Sequence, residues 1–163
     1  MSENLQKIFH EFFEYKDGNL YWKVNRGPKA LKGKIAGRIR PNKYVSVKIR
    51  ELGKEFGLHR VIFCMHYGYI PRMIDHINND PSDNRIENLR ECTDSQNQWN
   101  KRINRNNTSG VKNVRKSTRA NSFRVELSVH GKYKYIGSFK DFELADLVAH
   151  MAREKYHGKF ARH

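Results

Sequence analysis

The sequence predicts an α+β protein in two small units: a compact ββα unit, then a small three-stranded antiparallel sheet packed on one helix. Three observations carry that expectation. The apolar residues switch repeatedly between helical and alternating spacing, as when short helices and strands share a core. A chain of 163 residues with 37% hydrophobic residues can build only modest cores. Residues 101–109, KRINRNNTS, hold three cations and one clearly apolar residue, and so read as a basic tether between residues 1–100 and 110–163.

Leu5, Ile8, Phe9 and Phe12 fall at helical spacing after a cap at Ser2, so a short helix opens the chain and stops near Asp17-Gly18. Leu20 to Val24 reads as a strand, followed by a Gly- and Lys-rich loop. Val45, Val47 and Ile49 then alternate with Ser46 and Lys48 as in a half-buried strand. Leu58, Val61, Ile62 and Met65 restore the helical period, closed by Gly68 and Pro71. Ile74 to Ile77 forms a brief strand, Asn78 to Asp83 a turn, and Asn88 to Glu91 a second strand. Thr93 and Gln96 fit a capping box, which puts Asn97 in the first turn of a new helix. After Gly110, Phe123, Val125, Leu127 and Val129 alternate with polar residues, His130-Gly131 makes a tight turn, and Lys132 to Ile136 returns. Asp141 caps a last helix whose Ala145, Ala149 and Ala152, with Val148 and Tyr156, form a face able to lie close on a sheet; Gly158 ends it.

The formal net charge is +15, which points to a polyanionic partner, because clustered Lys and Arg displace counterions condensed on phosphates. The charge is uneven: residues 1–55 hold 13 Lys and Arg against 6 Asp and Glu, residues 56–100 hold 4 against 6, and residues 101–163 hold 15 against 5. Two basic arms thus flank a slightly acidic centre, as expected if the arms grip phosphate and the centre holds a cation. No run of 18 apolar residues and no signal peptide is present, so a membrane partner is not expected and the location expected is cytoplasmic. Cys64 and Cys92 alone make neither a disulfide framework nor an all-cysteine zinc site.

The acidic centre, IDHINNDPSDNRIENLRECTDSQNQWN, gathers Asp and Asn around one histidine. Phosphodiester hydrolysis needs a deprotonated water, a divalent cation on the scissile phosphate and a geometry that aligns them. Histidine, with an unperturbed pKa of about 6.5, is the natural base, and carboxylate and amide oxygens are hard ligands suited to Mg²⁺ or Mn²⁺. A strand, turn, strand and helix can bring Asp75, His76, Asn88 and Asn97 together. Adjacent strand residues point to opposite faces, so Asp75 and His76 can share one site only if the strand ends or bulges there.

LHRVIFCMHYGYIPRMIDHINNDPSDNRIENLRECTDSQNQWN resembles the HNH endonuclease superfamily, above all its phage and intron-encoded homing endonucleases, through HR, DH, DNR, NL and a final N in order. The resemblance spans about residues 15 to 100 and implies a ββα-metal (His-Me finger) core at about 58–100. It implies that His76 is the general base, that Asp75 and Asn97 ligate one Mg²⁺ or Mn²⁺ per site, and that Asn88 holds the His76 segment in orientation. Asn97 stands where the superfamily name has its last His, which favours Mg²⁺ or Mn²⁺ over Zn²⁺. His59 and Arg60 match HR, whose cation contacts phosphate or the leaving group, unless the pair serves only helix packing. Asn84 and Arg85 sit in the DNR turn; Asn84 is expected to make the turn rather than hold metal, and Arg85 to meet DNA.

Residues 109 to 161, with SGVKNV, SFRVELSV, YIGSF and HGKFA, resemble the plant ethylene-response-factor (APETALA) DNA-binding domain, which lays a three-stranded sheet in the major groove. Phe123, Val125, Leu127 and Ile136 would then face the helix, and Lys112, Arg124, Glu126, Ser128, Tyr133 and Tyr135 would face DNA. Ser128 and Tyr133 stand where plant members often carry Arg, so the plant target sequence does not transfer. Arg115, Lys116, Arg119, Lys132 and Lys134 are phosphate contacts or solvated charge.

The expectation is a homing-type, metal-dependent endonuclease acting on double-stranded DNA, leaving 5′-phosphate and 3′-hydroxyl ends, with no obligate protein partner. A non-catalytic DNA-binding regulator on the same scaffold is the alternative. An RNA-binding protein that stacks bases on Trp22, Tyr44, Phe123 and Tyr135 is a further one, though most of those aromatics fit core or groove-facing positions.

Overall fold

A computed structural model of the protein describes residues 2–117 and 120–163, with side chains from Asn4 onward; the roles expected of the Ser2 side chain and of Arg119 lie outside them. The fold is mixed α+β with several small sheets. The chain divides into two compact units at Glu91/Cys92, ahead of the tether expected at 101–109.

The first unit opens with helix α1 (Ser2–Phe12) and strands β1 (Phe13–Lys16) and β2 (Asn19–Trp22). The helix therefore ends five residues before Asp17-Gly18, contrary to the sequence expectation. Asp17 (φ 48°) and Gly18 (φ 80°) instead form a two-residue hairpin turn between paired strands, since an Asp-Gly turn supplies the two positive φ angles that match strand twist. A side chain at position 18 would also strike the backbone nitrogen of Arg85 at 2.8 Å, so the hairpin tip rests directly on the loop that leads into the site.

Strands β3 (Arg38–Ile39), β4 (Val45–Ile49) and β5 (Lys54–Gly57) form a second sheet in the order β3-β4-β5. Neither β3 nor β5 carries a clear sequence signal, being short, charged and glycine-bounded. Helix α2 (Leu58–Tyr67) follows β5 at once and ends at Gly68 in the left-handed conformation, as expected. Val47 and Ile49 from the sheet, Phe9, Phe13 and Leu20 from the N-terminal elements, and Val61 and Ile62 from α2 make one core. Each such side chain contributes on the order of 1.5–3 kcal/mol when fully buried. Strands β6 (Ile74–His76) and β7 (Leu89–Glu91) close the unit as an antiparallel pair.

The second unit begins with helix α3 (Asp94–Asn100), capped as predicted: Thr93 Oγ1 accepts from Gln96 N, and Gln96 Oε1 accepts from Thr93 N. Strands β8 (Val114–Ser117), β9 (Ser122–Val129) and β10 (Lys132–Phe139) are antiparallel in the order β10-β9-β8. Val114 and Val125 cluster with Ala145 and Ala149 of helix α4 (Phe142–His157), whose N-cap is Asp141. A bulge at Ile136 shifts the register between Tyr135 and Gly137, which lets both Ile136 and Phe139 reach that cluster.

Candidate active site

The site is built where β6 ends. Its last residue, His76, is 5% exposed, and its Nε2 lies 3.2 Å from Asn84 Oδ1. Asn84 is itself buried and donates through Nδ2 to the Ser82 carbonyl at 3.1 Å, which fixes its amide oxygen toward the imidazole. An oxygen acceptor requires the proton on Nε2, so the neutral ring carries its lone pair on Nδ1. The turn expectation for Asn84 thus omits its main contact: it sets the tautomer of His76.

The loop between β6 and β7 is pinned by Asn88. Its Nδ2 donates to Asn78 Oδ1 (3.0 Å) and to the Asp83 carbonyl (2.8 Å), and its Oδ1 accepts from Asn78 N (3.0 Å). Three bonds from one buried amide tie both ends of the loop together, and the Asn88 carbonyl also accepts from Ile77 N. Arg85 is forked onto Asp83 at 2.7 and 2.9 Å, which holds the Asp83 carboxyl down at about 2. The Tyr15 hydroxyl accepts from Ile86 N at 3.1 Å, so β1 supports the same loop.

Asp75, 6% exposed, lies opposite Arg90 in the β6–β7 ladder, and its Oδ2 accepts from Arg90 Nε (2.9 Å) and Nη2 (2.8 Å). A hard carboxylate oriented by a fixed donor suits a divalent ion such as Mg²⁺, with Arg90 as the orienting partner. Sequence reasoning missed Arg90; the signal was there, because antiparallel pairing of the two short strands puts opposite charges directly across from each other.

His59, in the first turn of α2, completes a ring cluster: its centroid is 5.4 Å from that of His76 and 5.6 Å from that of Tyr44, which is 5.8 Å from His76. Burial, then the His76 and Arg60 charges, push its pKa down to about 4, and its buried Nδ1 has no hydrogen-bond partner. That value keeps His59 neutral at pH 7 within the ring cluster. Arg60 donates to the carbonyls of Pro71 (2.8 Å) and Arg72 (3.4 Å), so it braces the segment entering β6 instead of reaching outward. Nothing in the sequence marks Tyr44 as a neighbour of the two histidines.

The other expected site residues lie in the second unit. Asn97 sits on α3 and is half-buried. Lys112 does not face outward: its Nζ donates to the carbonyls of Trp99 and Lys101 (2.7 Å to the latter), and burial beside Arg153 and Arg162 lowers its pKa to about 8. The expected DNA contact is a cation on the last carbonyls of α3, where the helix dipole favours positive charge. Tyr133 and Tyr135 are 80% and 56% exposed, and Arg124 lies over Tyr135 at 5.0 Å. Glu126 is held by Arg124 (2.9 Å) and, more loosely, by Arg115 (3.6 Å). Lys134 stands 4.7 Å over Tyr156 of α4, which puts it on the helix side of the sheet.

Among the described residues, one His/Glu group has ligand atoms close enough to share an ion: His150, Glu154 and His163. Arg153 Nε donates to His163 Nδ1 at 3.4 Å, so that ring, when neutral, carries its proton on Nε2 and offers a metal no lone pair. Among the described residues, no helix is long and apolar enough to cross a membrane.

The HNH endonuclease family matches residues 56–99, which contain His59 and His76 of the ring cluster, the Asn88-pinned loop and α3 up to Trp99. Protein 3.8 of Escherichia phage T7 is 33% identical over 99 residues, covering 58% of this chain and 79% of that protein. No solved structure matches the chain. The chain belongs to the family of phage T7 protein 3.8 and carries an HNH endonuclease domain.

Proposed function

We propose that the protein is a metal-dependent, site-selective DNA endonuclease of the homing type, acting on double-stranded DNA in the cytoplasm. The observation that carries the reading is the buried His76–Asn84 bond, which puts the ring proton on Nε2 and the basic lone pair on Nδ1. In the reaction, His76 Nδ1 takes a proton from the attacking water, and the ends formed are 5′-phosphate and 3′-hydroxyl. The Nε2 proton stays on His76 and is donated to Asn84 Oδ1, so the ring becomes an imidazolium stabilised by that amide oxygen. Asn88 keeps the His76 segment in place. Asp75, braced by Arg90, and Asn97 are proposed metal ligands, and a Mg²⁺ or Mn²⁺ ion would supply charge stabilisation at the scissile phosphate. Tyr133, Tyr135, Arg124 and Glu126, with Arg115 beside them, form the face that meets DNA, in the manner of an APETALA-type sheet.

Supercoiled plasmid with Mg²⁺ tests the reading. Wild type should nick or linearise it, EDTA should stop the reaction, and His76→Ala should lower the rate on the order of 10²–10⁴-fold while duplex binding persists. Cleavage by His76→Ala at the wild-type rate would remove His76 from the mechanism. Binding without any cleavage by wild type would favour a DNA-binding regulator.

A further inference from the structure

The outer face of the β3–β4–β5 sheet takes no part in the histidine cluster. Val47 and Ile49 point into the core, so Ser46 and Lys48 point away from it. Arg38 pairs across the ladder with Ser46, and Glu55 with Lys48, so both share that outer face. The segment before β3 is fastened along β2: Gly33 N donates to the Trp22 carbonyl (2.7 Å), Trp22 N to the Lys34 carbonyl (3.0 Å), and Ala36 N to the Leu20 carbonyl (2.7 Å). It then turns onto the sheet at Gly37 (φ 116°), where a Cβ would come within 2.7 Å of Val45 Cγ1. Strap and sheet are therefore fixed relative to each other by backbone.

Between them runs a groove of about 600 Å³ lined by Lys29, Ile35, Arg38, Lys48, Arg50 and Glu55, among others. Those four cations make no ion pair among the described residues. Glu55, the acid among these lining residues, is already held by Arg40 and by the Ser46 hydroxyl. Ile35 is 60% exposed beside them. A merely solvated basic face needs no concavity, no rigid wall and no bare isoleucine. A concave surface with cations on its rim focuses positive potential, and an apolar side chain within it suits the sugar edge of a nucleotide chain.

We infer that this groove seats the sugar–phosphate backbone of duplex DNA, a second nucleic-acid surface carried by the first unit itself. Its substrate class rests on the proposed nuclease reading. The test is fluorescence anisotropy with the full chain and a 5′-labelled duplex of about 30 base pairs in EDTA, from low to moderate salt. Arg38→Ala with Lys48→Ala should weaken binding on the order of tenfold. It should also make the slope of log Kobs against log salt shallower by about 1.8, at about 0.9 per phosphate. Lys7→Ala, an exposed cation on α1, should change neither, and Arg38→Lys with Lys48→Arg should keep the wild-type slope. Unchanged affinity and slope in the alanine pair would overturn the groove, as would loss of slope in the charge-preserving pair, or a loss confined to single-stranded RNA. The plasmid assay separates the two readings: cleavage with unaltered binding in the alanine pair removes the groove alone, whereas weakened binding with no wild-type cleavage removes the nuclease alone.

Discussion

Both units bury ionisable groups, and they differ in what those groups touch. In the first, His59, His76 and Tyr44 pack ring to ring, and His76 bonds a side chain, the Asn84 amide. In the second, the main partners are backbone carbonyls: Lys112 meets those of Trp99 and Lys101, Arg153 that of Lys112 besides its bond to His163, and His157 that of Ser128. A carbonyl fixed by the fold turns an ionisable group into a strut, while a side-chain partner sets a tautomer and leaves the ring able to exchange a proton. Burial of a charge does not by itself mark a site; the kind of partner does. The same contrast explains why α3 goes with the second unit, since Lys112 bonds its last carbonyls and His157 stacks on Trp99 at 4.4 Å. Cutting the chain at 101–109 would strip α3, with Asn97, of those partners.

The largest effect that probes this contrast is expected at Asp75. It and Arg90 are 6% and 14% exposed, so Asp75→Asn removes the carboxylate charge that the half-buried Arg90 guanidinium meets across the ladder. That should cost about 3–5 kcal/mol of unfolding free energy in urea, and Asp75→Leu with Arg90→Met should recover much of it. A single variant as stable as wild type would mean the pair is solvated in solution. Loss of cleavage in Asp75→Ala is therefore evidence about metal only when the variant is shown to be folded.

The next probe compares the units through pH. For His59 the folded pKa, about 4, lies below the unfolded value near 6.5, so between them the unfolded chain holds more protons. Stability should rise from pH 4 to 6.5 by up to about 3 kcal/mol and be lost as pH falls back through that window. For Lys112 the window runs from about 8 to 10.5 and stability again rises with pH, but partial exposure reduces the gain to about 1 kcal/mol. Urea titrations across both windows should show His59→Gln flattening the acid arm and Lys112→Met the alkaline one. If His59→Gln leaves the acid arm intact, the ring cluster is not dry.

Much of this was legible in the residues themselves. Helix α2 with its glycine stop, the Thr93–Gln96 box and the alternation of β9 follow from local rules, because period and cap chemistry are local. The His76-to-Asn88 cluster was legible as a set of types. What escaped depended on contacts far apart in the chain. The Asp17-Gly18 turn carried a hairpin signal that the preceding helical period outweighed. Tyr44 meets His59 only because β4 and α2 adjoin. Lys112 looked like one more cation of a basic arm, and only the fold aims it at α3.

The smallest effect expected is at the N-terminus of α3, and it sharpens the view of that helix as part of the second unit. A helix of seven residues has few internal hydrogen bonds, so its two ends carry much of its order. Lys112 holds the C-terminal end and Thr93 the other, through the bond from Gln96 N (3.3 Å) and the return bond from its own N–H to Gln96 (2.8 Å). Thr93→Ala removes the first bond and should cost about 1 kcal/mol, read as a fall in melting temperature of about 2–4 °C; Thr93→Ser should restore it. Because Lys112 bonds carbonyls at the opposite end, the alkaline arm of stability should survive Thr93→Ala unchanged. An alkaline arm that vanishes with Thr93 would mean the two caps form a single cooperative element, and that α3 is ordered only when both of its ends are held.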